Sequence, residues 1–288
     1  MKADDRKRLG SPLAAAETPD EELMDILGGF YSRPLDHVIF SYPWESENAI
    51  RIVPMVEPWR SRYGLEYGPD GWACEFLEEL GDAIEKRNFD GHSAVRPIRF
   101  ATVSGHGIGK STMSAWLIKF IMDTRPLANG TVTAVTDTQL QARTWAELVF
   151  WHKLSVTSHL FHISSSRGAM KMYSLIKDEK GEDFSEKWKV EAKTCRPERS
   201  EGFAGQHAPT STPFYILDEA SGIDNKIYEV LEGGLSDGEP MLFLFGNGTR
   251  NSGAFYDACT SKKSLYDCLL YTSPSPRDRT RSRMPSSA

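Results

Sequence analysis

Cysteine is scarce in this chain and spaced for neither metal nor disulfide chemistry. There are four in 288 residues, Cys74, Cys195, Cys259 and Cys268. No two stand at metal-ligand spacing, and the set suits a reducing cytosol better than a disulfide framework. No apolar run approaches the ~20 residues that cross a bilayer, so no membrane partner is expected. The charged N-terminus, Met1 to Arg8, has no apolar stretch behind it and is not a signal peptide. Positive charge is not in excess either: the formal net charge is −6, so any nucleic-acid contact must come from a local basic patch. Internal repeats are missing. His152, His159 and His162 lie close together, but no cysteine or carboxylate completes a metal set, and they read as core or surface histidines. What is present, 40% hydrophobic and 26% charged residues, fills a core of one large or two small domains.

The run Ser104-Gly105-His106-Gly107-Ile108-Gly109-Lys110-Ser111-Thr112 carries the most information. It sits between a strand-like stretch (Ile98 to Val103) and a helix-like one (Thr112 to Met122), the context of a phosphate-binding P-loop. Glycines let the backbone curl so that successive N–H groups face phosphate oxygens, and the helix adds its positive N-terminal end. Lys110 is expected to reach the β- and γ-phosphates of ATP and the Ser111 hydroxyl to bind Mg²⁺. The pattern departs from its usual form at one place, where Ser104 stands for glycine.

Two further apolar runs end in polar groups. Pro213 to Leu217 leads into Asp218-Glu219, and Met241 to Phe245 leads into Gly246-Asn247-Gly248-Thr249-Arg250. Buried parallel strands read as continuous apolar runs, and ligands bind beyond their carboxyl ends. Asp218 is placed to hold Mg²⁺ directly or through water, and Glu219 to polarise the attacking water. Asn247, with Thr249 second, could sense the γ-phosphate; the competing reading is an ordinary Gly-Asn-Gly turn.

Along the chain, residues 1–35 read as a loose arm with one short helix (Asp20 to Leu27). Residues 36–95 form a segment packed on the ATPase, with aromatic anchors Phe40, Tyr42, Trp44 and Trp59 and a helix from Trp72 to Lys86. Residues 96–267 are the P-loop domain. There, Met113, Trp116, Leu117, Phe120 and Ile121 mark one buried helix face. Thr131 to Val135 reads as a strand after an Asn129-Gly130 turn, and Gln139 to Lys153 as a helix capped by Asp137 or Thr138. Ala169 to Trp188 holds a charged turn, Asp178 to Asp183, between antiparallel strands. The element order argues an α/β fold, a doubly wound and mainly parallel sheet with flanking helices, of the ASCE P-loop type.

With these residues in hand, the chain resembles the ATPase half of the large terminase of tailed phages, over roughly Trp44 to Tyr256. The resemblance rests on Ser104 to Ser111 as a deviant Walker A, Thr133 to Leu140 with Trp145-Ala-Glu147, Ile216 to Ala220 as Walker B, and Phe245 to Arg250 followed by Gly253 to Tyr256. It implies a Mg²⁺-dependent ATP hydrolase that drives double-stranded DNA through a portal protein into a procapsid, in the host cytoplasm. It implies a homo-oligomeric ring on the portal, a small terminase subunit as partner, and a C-terminal nuclease domain. Some relatives carry an arginine in the P-loop where this chain has His106, which moves the expected arginine finger to the loop before Walker B, to Arg199 first and Arg196 second. The upstream adenine-contacting glutamine is missing, since Trp72 is followed by Ala73 and Cys74, and the base is expected to stack on an aromatic residue the sequence does not single out. Other readings are a helicase-like or remodelling ATPase and a nucleotide-dependent assembly factor without turnover.

Cys268 to Asp278 resembles a translated sequencing adapter, followed to Ala288 by index and primer sequence. Residues 268–288 are therefore expected to be non-native, with the natural chain cut near Asp267. The competing readings are a basic DNA-binding tail built on Arg277, Arg279, Arg281 and Arg283, and a disordered tail.

Overall fold

The computed structural model describes residues 19–44, 53–105, 107–166, 169–178, 180–195, 202–203 and 207–271. Helices α1 (Pro19–Gly28), α2 (Pro34–Ser41), α3 (Trp59–Tyr63) and α4 (Gly71–Arg87), with a two-residue pair β1 (Val53–Pro54) and β2 (Tyr67–Gly68), precede the main sheet. Strand β3 (Ile98–Val103) leads through the P-loop into α5 (Lys110–Thr124) and β4 (Asn129–Thr133). A helical turn (Asp137–Gln139) and a π-helical segment (Leu140–Trp145) then run into α6 (Ala146–Leu154). Next come β5 (Phe161–Ser164), β6 (Lys171–Ser174), β7 (Lys189–Ala192) and β8 (Pro213–Leu217). The order ends with α7 (Asn225–Gly233), β9 (Met241–Gly246), α8 (Ala254–Cys259) and β10 (Cys268–Tyr271).

The eight-stranded sheet has the order β10-β3-β9-β8-β4-β7-β6-β5. It is parallel from β10 to β7 and antiparallel at β7/β6 and β6/β5. Every residue of β8 and β9 is buried, which explains their unbroken apolar runs. Side chains alternate across a strand, so each run feeds two cores. Phe214, Ile216, Phe243 and Phe245 join the face covered by α4 and α5, while Tyr215, Leu217, Leu242 and Leu244 join the face covered by α7 and α8.

Helix α4 covers the P-loop strand because Phe76, Leu77, Leu80 and Ile84 recur at helical spacing and are all buried. The Asp70 side chain accepts the Gly71 N–H at its start, and Asn88, at φ +46°, ends it. Tyr42 and Trp44 pack against Trp116 of α5 and Trp151 of α6, which ties the start of the segment expected at residues 36–95 to the helices that flank the main sheet. Phe40, expected as an anchor, is instead 40% exposed on α2.

Three local expectations are corrected. Asn129 and Gly130 are not a turn: they open β4 beside Pro213 and Phe214, and a Cβ at Gly130 would overlap the Phe214 ring. The cap before the next helical stretch is Thr136, whose hydroxyl accepts the Gln139 N–H, rather than Asp137 or Thr138. The expected helix from Gln139 is not uniformly α, since Leu140–Trp145 is π-helical.

At the other edge of the sheet, Cys268 to Tyr271 pair in parallel with Phe100 to Val103. These four residues were expected to lie outside the domain. Ladder hydrogen bonds are made by backbone, so a short apolar segment of any origin can complete this edge. The tail from Thr272, with Arg277, Arg279, Arg281 and Arg283, lies outside the described residues.

Candidate active site

Strands β3, β9 and β8 are adjacent and parallel, so their carboxyl ends meet at one edge. That edge gathers the P-loop, Asn247 and the Asp218-Glu219 pair, the arrangement in which open α/β sheets bind ligands. The P-loop turns at Gly107 (φ +77°) and Gly109 (φ +94°), left-handed conformations that disfavour a side chain. A Cβ at either would meet nothing within 4 Å, so the requirement is backbone shape, not crowding. Gly109 caps α5, and Lys110 and Ser111 are its first residues.

The Lys110 ammonium donates to Ser104 Oγ at 3.0 Å, to the Gly105 carbonyl at 2.8 Å and to Asn247 Oδ1 at 2.6 Å. Ser104, the departure from the usual motif, is thus a buried partner of the lysine, and its own N–H donates to the Gly246 carbonyl of the neighbouring strand at 3.1 Å. Burial pulls the Lys110 pKa below the ordinary lysine value, opposed by the charges of Asp218 and Glu219. An arriving phosphate would compete for the same ammonium and favour its charged form. From outside the loop, the Trp72 indole N–H donates to the Ile108 carbonyl at 3.0 Å and fixes the P-loop against α4.

Asp218 is buried, and its Oδ2 accepts the Ser111 hydroxyl at 3.4 Å and the Thr144 hydroxyl at 2.5 Å. Ser111 and Asp218 offer hard oxygen donors to one side of the P-loop. Mg²⁺ typically takes one or two protein oxygens and completes its shell with phosphates and water, so the donor set fits that ion. Glu219 stands at φ +52°, a left-handed conformation that costs a non-glycine residue about 1–2 kcal/mol. Its side chain pairs with Arg143 Nη1 at 2.7 Å. Thr112 donates to Glu147 Oε2 at 3.1 Å, which links the P-loop helix to the start of α6.

The fold therefore brings together Ser104, Gly105, Lys110, Ser111, Asp218 and Asn247, with Glu219 beside them. Thr249 is exposed, and its N–H donates to the Asn247 carbonyl at 2.8 Å. His106, Arg196 and Arg199 lie outside the described residues. Arg143 and Thr144 were not expected in the site. The only sequence signal was their position just before Trp145-Ala-Glu147, and their direction depends on the π-helical segment. Apart from this site, a concavity of about 330 Å³ is lined by Arg33, just before α2, and by residues of α2, α3 and α4, among them Asp36, Arg62 and Glu78, and shares no residue with the P-loop.

A P-loop strand separated from the acidic strand by one intervening strand, with all three parallel and the phosphate loop capping a helix, defines the P-loop NTPase fold of the ASCE type. Within that class the chain is similar to phage terminase large subunits. A stretch of 71 residues is 41% identical to the probable terminase large subunit of Enterobacteria phage P7; it makes up 25% of this chain and 14% of that protein's length. The large terminase ATPase domain of Thermus phage P74-26 is 17% identical at a TM-score of 0.44, over 64% of this chain and 78% of that one. The large terminase of a thermophilic bacteriophage, solved with ADP, is 14% identical at a TM-score of 0.45, over 65% of this chain and 42% of that one. No family model matches.

Proposed function

We propose that this chain is the ATPase part of a terminase-type motor, hydrolysing ATP to move double-stranded DNA into a procapsid. The observation that carries the reading is the convergence of Lys110, Ser111, Asp218, Glu219 and Asn247 at the carboxyl ends of three adjacent parallel strands. The backbone from Gly105 to Thr112 wraps the phosphates, and Lys110 exchanges its contacts to Ser104, Gly105 and Asn247 for phosphate oxygens. Ser111 and Asp218 would hold Mg²⁺, which when bound would offset charge on the β- and γ-phosphates. Glu219 accepts a proton from water as its oxygen adds to the γ-phosphorus and the bond to the bridging oxygen breaks, releasing ADP and phosphate. Asn247, hydrogen-bonded to Lys110, is positioned to report loss of the γ-phosphate, with Thr249 second. Arg199, or Arg196, supplies the finger in a ring assembled on a portal protein with a small terminase subunit.

The test is Glu219→Gln with ATP and Mg²⁺. The variant should bind ATP as the parent does and hydrolyse it at least ~100-fold more slowly, the scale of a lost general base. Turnover near the parent value would remove Glu219 from this role. ATP-dependent assembly of the parent chain with no phosphate release would favour a non-hydrolysing assembly factor.

A further inference from the structure

The Arg143–Glu219 ion pair has no place in the chemistry above, although it occupies the carboxylate that must take the water proton. Arg143 lies on the π-helical segment Leu140–Trp145. Such segments cluster at functional sites because the extra backbone residue redirects side chains. Here it directs two consecutive residues to the acidic strand end: Thr144 to Asp218, and Arg143 to Glu219. The pair is partly exposed, with side-chain exposures of 58% for Arg143 and 26% for Glu219. An ion pair in that setting is weak and readily broken, unlike the buried pairs of the core. The segment is also joined to the nucleotide loop, since Glu147, two residues beyond it, accepts the hydroxyl of Thr112.

We propose that Arg143 is a positioning residue that restrains Glu219, drawing its carboxylate away from water until the π-helical segment shifts. Thr112 and Glu147 connect that segment to the P-loop, so phosphate binding and release of Glu219 are coupled through contiguous contacts. The inference rests on Glu219 being the base, as proposed above.

The test compares the parent, Arg143→Gln, Arg143→Lys, Glu219→Gln and the Arg143→Gln/Glu219→Gln double variant. Steady-state ATP hydrolysis is measured together with amide hydrogen exchange over residues 140–145. Arg143→Gln should raise kcat about two- to five-fold, the scale of a surface ion pair, at unchanged KM. Arg143→Lys should stay near the parent, and the double variant should be no faster than Glu219→Gln. Exchange should quicken in both Arg143→Gln and Glu219→Gln. A kcat for Arg143→Gln equal to or below the parent value overturns the restraint. If the parent chain shows no turnover, the ATPase reading fails by itself. The exchange data then decide alone: acceleration in both single variants supports the restraint, and none in either overturns it.

Discussion

Gly130 limits what the second strand beside Walker B can carry. The Phe214 ring occupies the space where its Cβ would stand, and both residues are fully enclosed. Gly130→Ala should therefore destabilise the fold by about 1–3 kcal/mol through overpacking. Chemical denaturation checks it, and a smaller residue at Phe214 in the same chain should recover part of the loss. In the site, the 2.5 Å hydrogen bond from Thr144 to Asp218 orients the carboxylate proposed above to hold Mg²⁺. Loss of such an outer partner costs roughly 10–100-fold in metal affinity. Thr144→Val should raise the Mg²⁺ needed for half-maximal ATPase by about that factor, while Thr144→Ser stays near the parent; a Mg²⁺ titration reads it. Lys110, Ser111, Asp218, Glu219 and Asn247 were legible from the sequence because each follows or ends a recognisable run. Arg143 and Thr144 were not, because a uniform helix starting at Gln139 points these side chains elsewhere.

Among the elements, α5 carries the costliest polar contacts. Lys119 and Asp123 are i, i+4 partners at 2.8 Å with no exposed side-chain surface, and Asp123 also meets His37 of α2 at 2.9 Å and Thr157 at 2.9 Å. Burial works to raise the Asp123 pKa, but the Lys119 charge and the His37 hydrogen bond outweigh it, and the net shift is downward. Removing one member of a buried pair leaves the other uncompensated. Asp123→Asn should cost about 3–5 kcal/mol by denaturant titration, far more than the same change at exposed Asp90. The cluster also explains why a segment with little apolar periodicity docks firmly: α2 contributes His37 and Ser41 to it, and Tyr42 and Trp44 follow directly. Sequence periodicity shows apolar faces but not a polar network shared by three elements, so α2 was missed as a helix while α4 was found nearly to the residue.

At the scale of the whole molecule, buried histidines set how stability responds to pH. His152 is enclosed between α6 and its neighbours, and burial brings its pKa down to about 4 from 6.5. His37 is shifted the same way, chiefly by burial. The unfolded chain binds these protons at higher pH than the folded one. Their contribution is therefore fully present above the unfolded value and is lost as pH falls from 6.5 toward 4. For His152 alone the loss reaches ~3 kcal/mol at the low end. Unfolding free energies measured at pH 7.5 and pH 5 should differ in that direction, and His152→Gln should flatten the difference.

The sequence by itself determined the class of sheet, the phosphate loop and the order of the acidic and amide strand ends, because these depend on local patterns: unbroken apolar runs, glycines at left-handed turns and a helix start. Tertiary structure alone decided that Ser104 serves Lys110, that Trp72 props the P-loop, and that a π-helical segment turns Arg143 and Thr144 onto Walker B. Each of those contacts joins residues whose side-chain directions follow from packing between distant elements, which no local pattern encodes.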